Sequence, residues 1–408
     1  MELTAGRLSC MCGRVQTCAS ANFTSVTLGT GTGAIYDPYG LGRSTGLDAF
    51  SPQFIEAIAM PTTATYTLLV GSTGTSIGNA TVTLYDVVDA SGTIVAGGPP
   101  QTVTIGTPGQ NAALTFTETA GHRISLDMAS TIGGFVCTVV TIAGPDGNPL
   151  VSNACVTTQG GFIDVQPPLT ATGTYTVTID PPAKTTGSMT LTLYDVPPDV
   201  SGTIVVGGAS QAVAMNTPGQ NASLTFSGTL GQRISLDMAS SIGWLGTCTA
   251  VTVKNPDATT LVSNTCVTTQ GAFIDVQTLP ATGTYTIAIN PPGNATGSMT
   301  LTLYNVPADV TSTIVAGGAA QTVTIGAPGQ NASVTFSGTL GQRVSLDMAS
   351  SIGWLGTCTA VTVKNPDGTT LVSNTCVNTQ GAFIDVQTLP ATGTYTIAIF
   401  RRAMPPAA

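Results

Sequence analysis

Residues 248–266 read CTAVTVKNPDATTLVSNTC, a stretch that opens and closes on cysteine and turns back on itself at Pro256-Asp257. On either side of the turn Val and Thr alternate, and an apolar/polar period of two places one face of a strand toward a core. Proline presets φ and aspartate can bond its own backbone, so the PD pair is turn chemistry between two strands. The same stretch recurs at 137–155 and 358–376, with Asp146, Asp257 and Asp367 at the three midpoints. In a hairpin folded about those aspartates the two cysteines lie directly across from one another, within disulfide reach. The expected bridges are Cys137–Cys155, Cys248–Cys266 and Cys358–Cys376, each 18 residues apart. The competing reading, six buried free thiols, does not explain why every pair centres on a turn. Two sulfurs without a nearby histidine do not fill a tetrahedral zinc shell, so no metal is expected. Each closed loop contributes about 3 kcal/mol in the chain-entropy model. Such bonds persist in oxidising compartments, which points to a bacterial cell surface, periplasm or medium. Cys10, Cys12 and Cys18 fall outside the pattern.

Outward from the hairpin the whole chain repeats. PGQNA begins at Pro108, Pro218 and Pro328, a period of 110 residues, followed by GHRISLDMAS, GQRISLDMAS and GQRVSLDMAS. Each copy closes with ATGTYT, from Ala171, Ala281 and Ala391, and GSMTLTLY follows the first two. The units are placed at 89–198, 199–308 and 309–408, with joints at the Pro and Asp of VPPDV and VPADV. A 110-residue period exceeds the roughly 20–50 residues of a solenoid coil, so each copy is expected to fold as its own domain. Residues 54–88 reproduce the closing half of a unit, and residues 1–53 match nothing else in the chain. The third unit ends before the strand spelled GSMTLTLY, and both ends read as cuts through a longer gene. That missing strand is expected to leave a sheet edge open to self-association.

Alternation such as Met299, Leu301, Leu303 against Thr300, Thr302, Tyr304 fills the copies, with Gly, Pro and Asn turns between. In QRISLDM, Ile234, Leu236 and Met238 are expected to face the core, and Arg233, Ser235 and Asp237 to face water. Regular short strands with such turns predict an all-β chain of tandem, jelly-roll-like β-sandwich domains, one cross-strand disulfide in each complete unit. No segment has helical spacing.

Composition narrows the chemistry. Only 8% of residues are charged, the net charge is -9, and Lys plus Arg number 11, so there is no basic footprint for nucleic acid. Mean hydropathy is +0.32, yet no unbroken apolar run of bilayer length occurs, and no membrane insertion is expected. The single histidine, His122, occupies a position held by Gln232 and Gln342 in the other copies, which makes it a turn residue and removes repeated Ser-His-Asp triads. Asp127, Asp237 and Asp347 recur, as do Asp164, Asp275 and Asp385. A glycosidase pair would need a cleft in each of three near-identical copies. The plainer reading pairs Asp237 with Arg233 on one strand face at under about 1 kcal/mol. No catalytic residue and no cofactor is expected. Trp244 and Trp354, in SIGWLGTC, are the candidate ligand-binding residues, since an exposed indole stacks on a sugar ring; core packing is the competing role.

At PGQNASLTFSGTLGQRISLDM, NPDATTLVSNTC, FIDVQTLPATGTYTIAI and GSMTLTLYNVPADV the units resemble the bacterial pre-peptidase C-terminal (PPC) type of β-sandwich, in particular the tandem copies of large exported proteins, including those with Rhs/YD-type repeats. The resemblance covers about residues 54–400. It implies export and an accessory, spacer or binding role beside a separate active domain. The aromatic binding surface and calcium ligands of the family's better-known members find no counterparts among these residues.

The expectation is therefore a non-catalytic structural spacer of an exported or cell-surface protein. The alternatives are an adhesive module for an extracellular glycan or protein, and the accessory region of an exported enzyme whose catalytic domain lies elsewhere.

Overall fold

A computed structural model describes residues 17–27, 30–37, 39–47, 53–60, 63–133, 137–243, 248–351 and 358–401. Among these the chain is all-β, with strands and turns and no helix.

The first copy shows how the alternation is used. One sheet holds four strands in the order Gly161–Asp164, Arg123–Ser130, Gly187–Val196, Gln101–Ile105. The other holds five, in the order Pro149–Val156, Thr138–Ala143, Gly173–Asp180, Ala112–Glu118, Ala90–Thr93. Pairing is antiparallel except at Ala90–Thr93, which runs parallel to Ala112–Glu118. Leu126, Met128, Leu191 and Leu193 of the first sheet share one buried cluster with Leu114, Phe116, Val140 and Val177 of the second. Both inner faces thus remove their apolar residues from water together, at about 25 cal/mol per Å². The second copy repeats this arrangement, with Arg233–Ser240 beside Gly297–Asn305 in its four-stranded sheet and a cluster of its own.

Tyrosine of the TYT motif anchors every core. Tyr175, Tyr285 and Tyr395 are at most 1% exposed and stack on Phe116, Phe226 and Phe336 at centroid distances of 5.1–5.2 Å. A buried phenol needs a partner, and each hydroxyl donates to the carbonyl four residues earlier, at Ala171, Ala281 or Ala391.

The chain divides into two compact units, Met1–Pro198 with Thr217–Gly219, and Asp199–Asn216 with Gln220–Ala408. Pro218 and Gly219 of the second copy's PGQN loop thus belong with the first unit. The N-terminal region also contributes more than its sequence shows. Thr17–Thr24 pairs with both Gln53–Met60 and Thr81–Val87, so it stands where Arg123–Ser130 stands in the first copy.

All three expected disulfides form, with Cα–Cα distances of 5.1, 5.1 and 5.3 Å. The cysteines are not directly opposite, however. Cys266 faces Ala250, while Cys248 stands just outside the ladder, before Thr249. The register slips between Val251 and Val253 and again between Val253 and Lys254, because the second strand carries extra residues there. The first extra residue is an asparagine at positive φ, which that side chain tolerates better than most: Asn153 (55°), Asn264 (23°) and Asn374 (38°). Thr252 and Thr362 donate to Asn264 and Asn374 at 2.9 and 3.1 Å and hold the irregularity in place.

The turn itself is strained in one copy only. Gly147 and Gly368 take φ of 78° and 84°, where glycine has no penalty, but the second copy puts Ala258 there at 67°. Ala258→Gly is therefore expected to stabilise the second hairpin by about 1 kcal/mol. Native-state hydrogen exchange at the Thr249–Lys254 amides measures this; faster exchange in the variant would refute it.

Candidate functional site

The feature built most consistently from the repeated sequence is a joint between the PGQN loop and the central strand of the preceding copy. That strand has two faces. Ile234, Leu236 and Met238 point into the core, as expected. Ser235, expected in water, is 1% exposed, and its counterparts Ser125 and Ser20 are fully buried. Each serine hydroxyl donates to a proline carbonyl: Ser20 to Pro108 at 2.7 Å, Ser125 to Pro218 at 2.7 Å, and Ser235 to Pro328 at 2.6 Å. Pro218, the partner of Ser125, belongs with the first unit.

Every residue of PGQN has a task in the joint. Proline offers the carbonyl. The following glycine takes φ of 81°, 87° and 87° at Gly109, Gly219 and Gly329. A Cβ there would also lie 3.0–3.1 Å from the serine Cβ, so both backbone conformation and proximity demand glycine. The glutamine amide ties the loop to its own copy. Gln330 accepts from the Gly326 amide and donates to the Ala308 carbonyl, both at 2.7 Å, and Gln110 does the same with Gly106 and Val88. The asparagine backbone N–H donates to the joint aspartate carboxylate, from Asn111 to Asp89, Asn221 to Asp199 and Asn331 to Asp309.

Arginine completes the arrangement differently in the two units. Arg123 donates to the Gly219 carbonyl at 2.9 Å and lies 3.7 Å from Asp164. Arg233 reaches Asp309 at 2.6 Å and the Pro307 carbonyl at 2.9 Å. The expected Arg233–Asp237 pair is thus replaced by one with Asp309, since the arginine at the strand end faces the joint. Partial burial pushes the Asp309 carboxyl up, but hydrogen bonds from Arg233 and Asn331 and the guanidinium charge outweigh it and hold its pKa below the usual value.

In the third copy the corresponding serine, Ser345, is exposed.

The remaining candidates separate. Trp244 and Trp354 lie outside the described residues, as do Cys10 and Cys12; Cys18 is disulfide-bonded. His122 sits in its expected turn with Nδ1 3.3 Å from Glu118 and 3.4 Å from Asp195. Its replacement Gln232 spans the same place, donating to Asn305 at 3.2 Å. Asp257, at the hairpin turn, accepts from the Thr259 hydroxyl and amide, which lower its pKa; Asp146 and Asp367 are held down in the same way by Asn148 and Thr369. These aspartates shape turns.

Sequence reasoning missed Ser20, Ser125 and Ser235. The available signal was the recurrence of one small hydroxyl in the middle of RISLD and RVSLD alongside an unchanging Pro-Gly.

No protein-family model and no curated protein matches the chain. Solved structures similar to it include the pre-peptidase C-terminal domain of a collagenase from Bacillus anthracis, at 12% identity and TM-score 0.20, covering 26% of this chain and 97% of that one. The CUB1-EGF-CUB2 region of human MASP-1/3 is similar at 8% identity and TM-score 0.16, covering 50% and 99%. A triple jelly-roll protein from the turret of an archaeal virus gives 12% identity and TM-score 0.16, covering 79% and 85%. Likenesses this distant carry no inference about function. No described helix is long and apolar enough to cross a membrane, which leaves membrane-crossing strands unaddressed.

Ser235→Ala is expected to strand the Pro328 carbonyl and cost about 1 kcal/mol, whereas Ser345→Ala, at an exposed site, should stay within about 0.5 kcal/mol. Exchange at the Gly326–Asn331 amides reads the difference, and equal effects would refute the joint. For pH the sign follows from Asp309. A carboxyl whose folded pKa is lowered contributes stability that is complete above its unfolded value near 3.8 and is lost as pH falls through the lower folded value. Exchange at Asn331 should therefore accelerate on acidification below about pH 4, less so in Arg233→Gln. Acceleration that begins only above that range would contradict the assignment.

Proposed function

We propose that the chain is a non-catalytic spacer segment of an exported or cell-surface protein, built from jelly-roll-like β-sandwich copies of the PPC type. The observation that carries this reading is the joint. In both units a buried serine, a proline carbonyl and a glycine without room for a side chain recur with the same geometry, and what three copies keep in common is the means of attaching one to the next. A spacer needs fixed attachment between copies more than it needs a reactive cleft.

The disulfides support the exported setting, since three such bonds require an oxidising compartment to form and persist. Each pins a hairpin at the edge of a five-stranded sheet, where a free edge strand is otherwise prone to fray or to pair with another chain.

The test is a binding panel of glycans and extracellular-matrix proteins, run with the full chain. A spacer gives no saturable binding. Saturable binding lost on Trp244→Ala and Trp354→Ala would replace this reading with the adhesive module, in which repeated weak sites act by multivalency.

A further inference from the structure

Five asparagines carry the Asn-x-Ser/Thr pattern with no proline between: Asn22, Asn79, Asn221, Asn294 and Asn331. The pattern is the acceptor signature of N-linked glycosylation, and it has meaning only where the fold puts it on an accessible loop. The structure separates the five. Asn22 lies within Thr17–Thr24, whose backbone is paired on both edges, and its Oδ1 is buried. Asn221 and Asn331 stand at the joint, where their N–H groups hold Asp199 and Asp309 and the alanines that follow, Ala222 and Ala332, are at most 4% exposed. Asn79 is exposed but tied to Thr27: its N–H donates to the Thr27 hydroxyl, its carbonyl accepts from the Thr27 N–H, and its Oδ1 accepts from the Thr27 hydroxyl, all at 2.8–2.9 Å.

Asn294 is placed differently. Between Gly283–Asn290 and Gly297–Asn305 the chain reads PPGNAT, residues 291–296. The Ala295 N–H donates to the Pro292 carbonyl at 3.0 Å and closes a four-residue turn in which Gly293 takes φ of 52°. A positive φ at the first central position suits glycine, and asparagine is at home in the second, so Asn294 is at the tip. Ala295 packs against the core cluster of the second copy, while Asn294 and Thr296 on either side of it are exposed. The acceptor amide and the hydroxyl two residues on, which a transferase reads together, are both presented to solvent on a loop pinned between them. The loop is also remote from the joint. Gly297–Asn305 starts beside Ser241, whose hydroxyl accepts from the Ser298 N–H, and ends beside Ile234, next to the joint residue Arg233. A bulky group at Asn294 leaves Ser235 and its partner loop untouched, whereas one at Asn221 or Asn331 would wedge a joint apart.

We infer that Asn294 is an N-glycosylation site that takes an oligosaccharide from a lipid-diphosphate donor. In the transfer the Asn294 Nδ2 attacks the anomeric carbon of the first sugar. An N–C bond forms, the C–O bond to the diphosphate breaks and its electron pair leaves with the lipid diphosphate, and the amide loses one proton to a base of the transferase. The site presupposes the exported setting proposed above, since such transfer takes place on chains that have left the cytosol. The first copy supplies an internal contrast. The same turn there, closed from the Thr185 N–H to the Pro182 carbonyl at 3.2 Å, carries Lys184 at its tip, and Lys-Thr-Thr lacks only the asparagine.

The experiment incubates the folded, oxidised full chain with a purified oligosaccharyl transferase and its lipid-linked oligosaccharide. Release by peptide N-glycosidase in heavy-oxygen water then marks each modified asparagine for mass spectrometry. Asn294 is expected to react at least about tenfold faster than Asn22, Asn221 or Asn331, which are reached only through local opening of paired or joint backbone, with Asn79 in between. Asn294→Gln and Thr296→Ala, both at exposed positions, should each remove the modification, and Lys184→Asn should create a new acceptor in the first copy. No transfer to Asn294 while an acceptor peptide in the same mixture is modified, equal transfer to Asn221 and Asn331, or an inert Lys184→Asn chain would overturn the site. Such a failure on purified protein leaves the exported setting standing. Recovery of the chain from its own cells with free thiols in place of the three disulfides would instead sink that setting, and the transfer to purified protein would be unaffected.

Discussion

The structure depends on a strand with no free face. Thr17–Thr24, Arg123–Ser130 and Arg233–Ser240 sit inside a sheet, so their backbones are paired on both sides, and one set of side chains is the floor of the core. The other face, which would ordinarily meet water, is covered at the serine by the Pro-Gly of the following copy. A hydroxyl under such a cover must be bonded, since an orphaned polar group costs about 1–3 kcal/mol. The proline carbonyl meets that need, and so the same strand organises both its own copy and the attachment of the next one.

This constraint accounts for sequence features that would otherwise look like separate habits. Serine fits because a larger side chain would hold the loop away. Glycine fits because its φ is positive and a Cβ would crowd the serine. Glutamine and the joint aspartate fit because a loop pressed against a neighbour must still be tied to its own copy.

Much of this was legible from one sequence, and the rest for definite reasons was not. Alternation and turn chemistry gave the strands, and the cysteine spacing gave the three bridges. Period two separates two faces of a strand but cannot say whether the polar one is covered, and the partner that covers Ser235 lies 93 residues away. Nor does the pattern along one strand reach the partner of Arg233, Asp309, which is 76 residues on. The extra residues at Asn153, Asn264 and Asn374 shift the cysteines off direct opposition, and nothing in an alternating run announces an irregularity of that kind. Residues 17–24, TCASANFT, share only the central serine with RISLDMAS, too little for a repeat search although the strand occupies the same place.

The account is tested most directly by a solution measurement of the joint itself. In the full chain with labelled serine and glycine, nuclear Overhauser contacts between the Ser235 β-protons and the Gly329 α-protons should be present, since the two backbones meet closely there. They should have counterparts between Ser125 and Gly219 and between Ser20 and Gly109. A Ser235 that shows no contact with Gly329, with the loop amides exchanging at the rate of an open chain, would contradict the central claim.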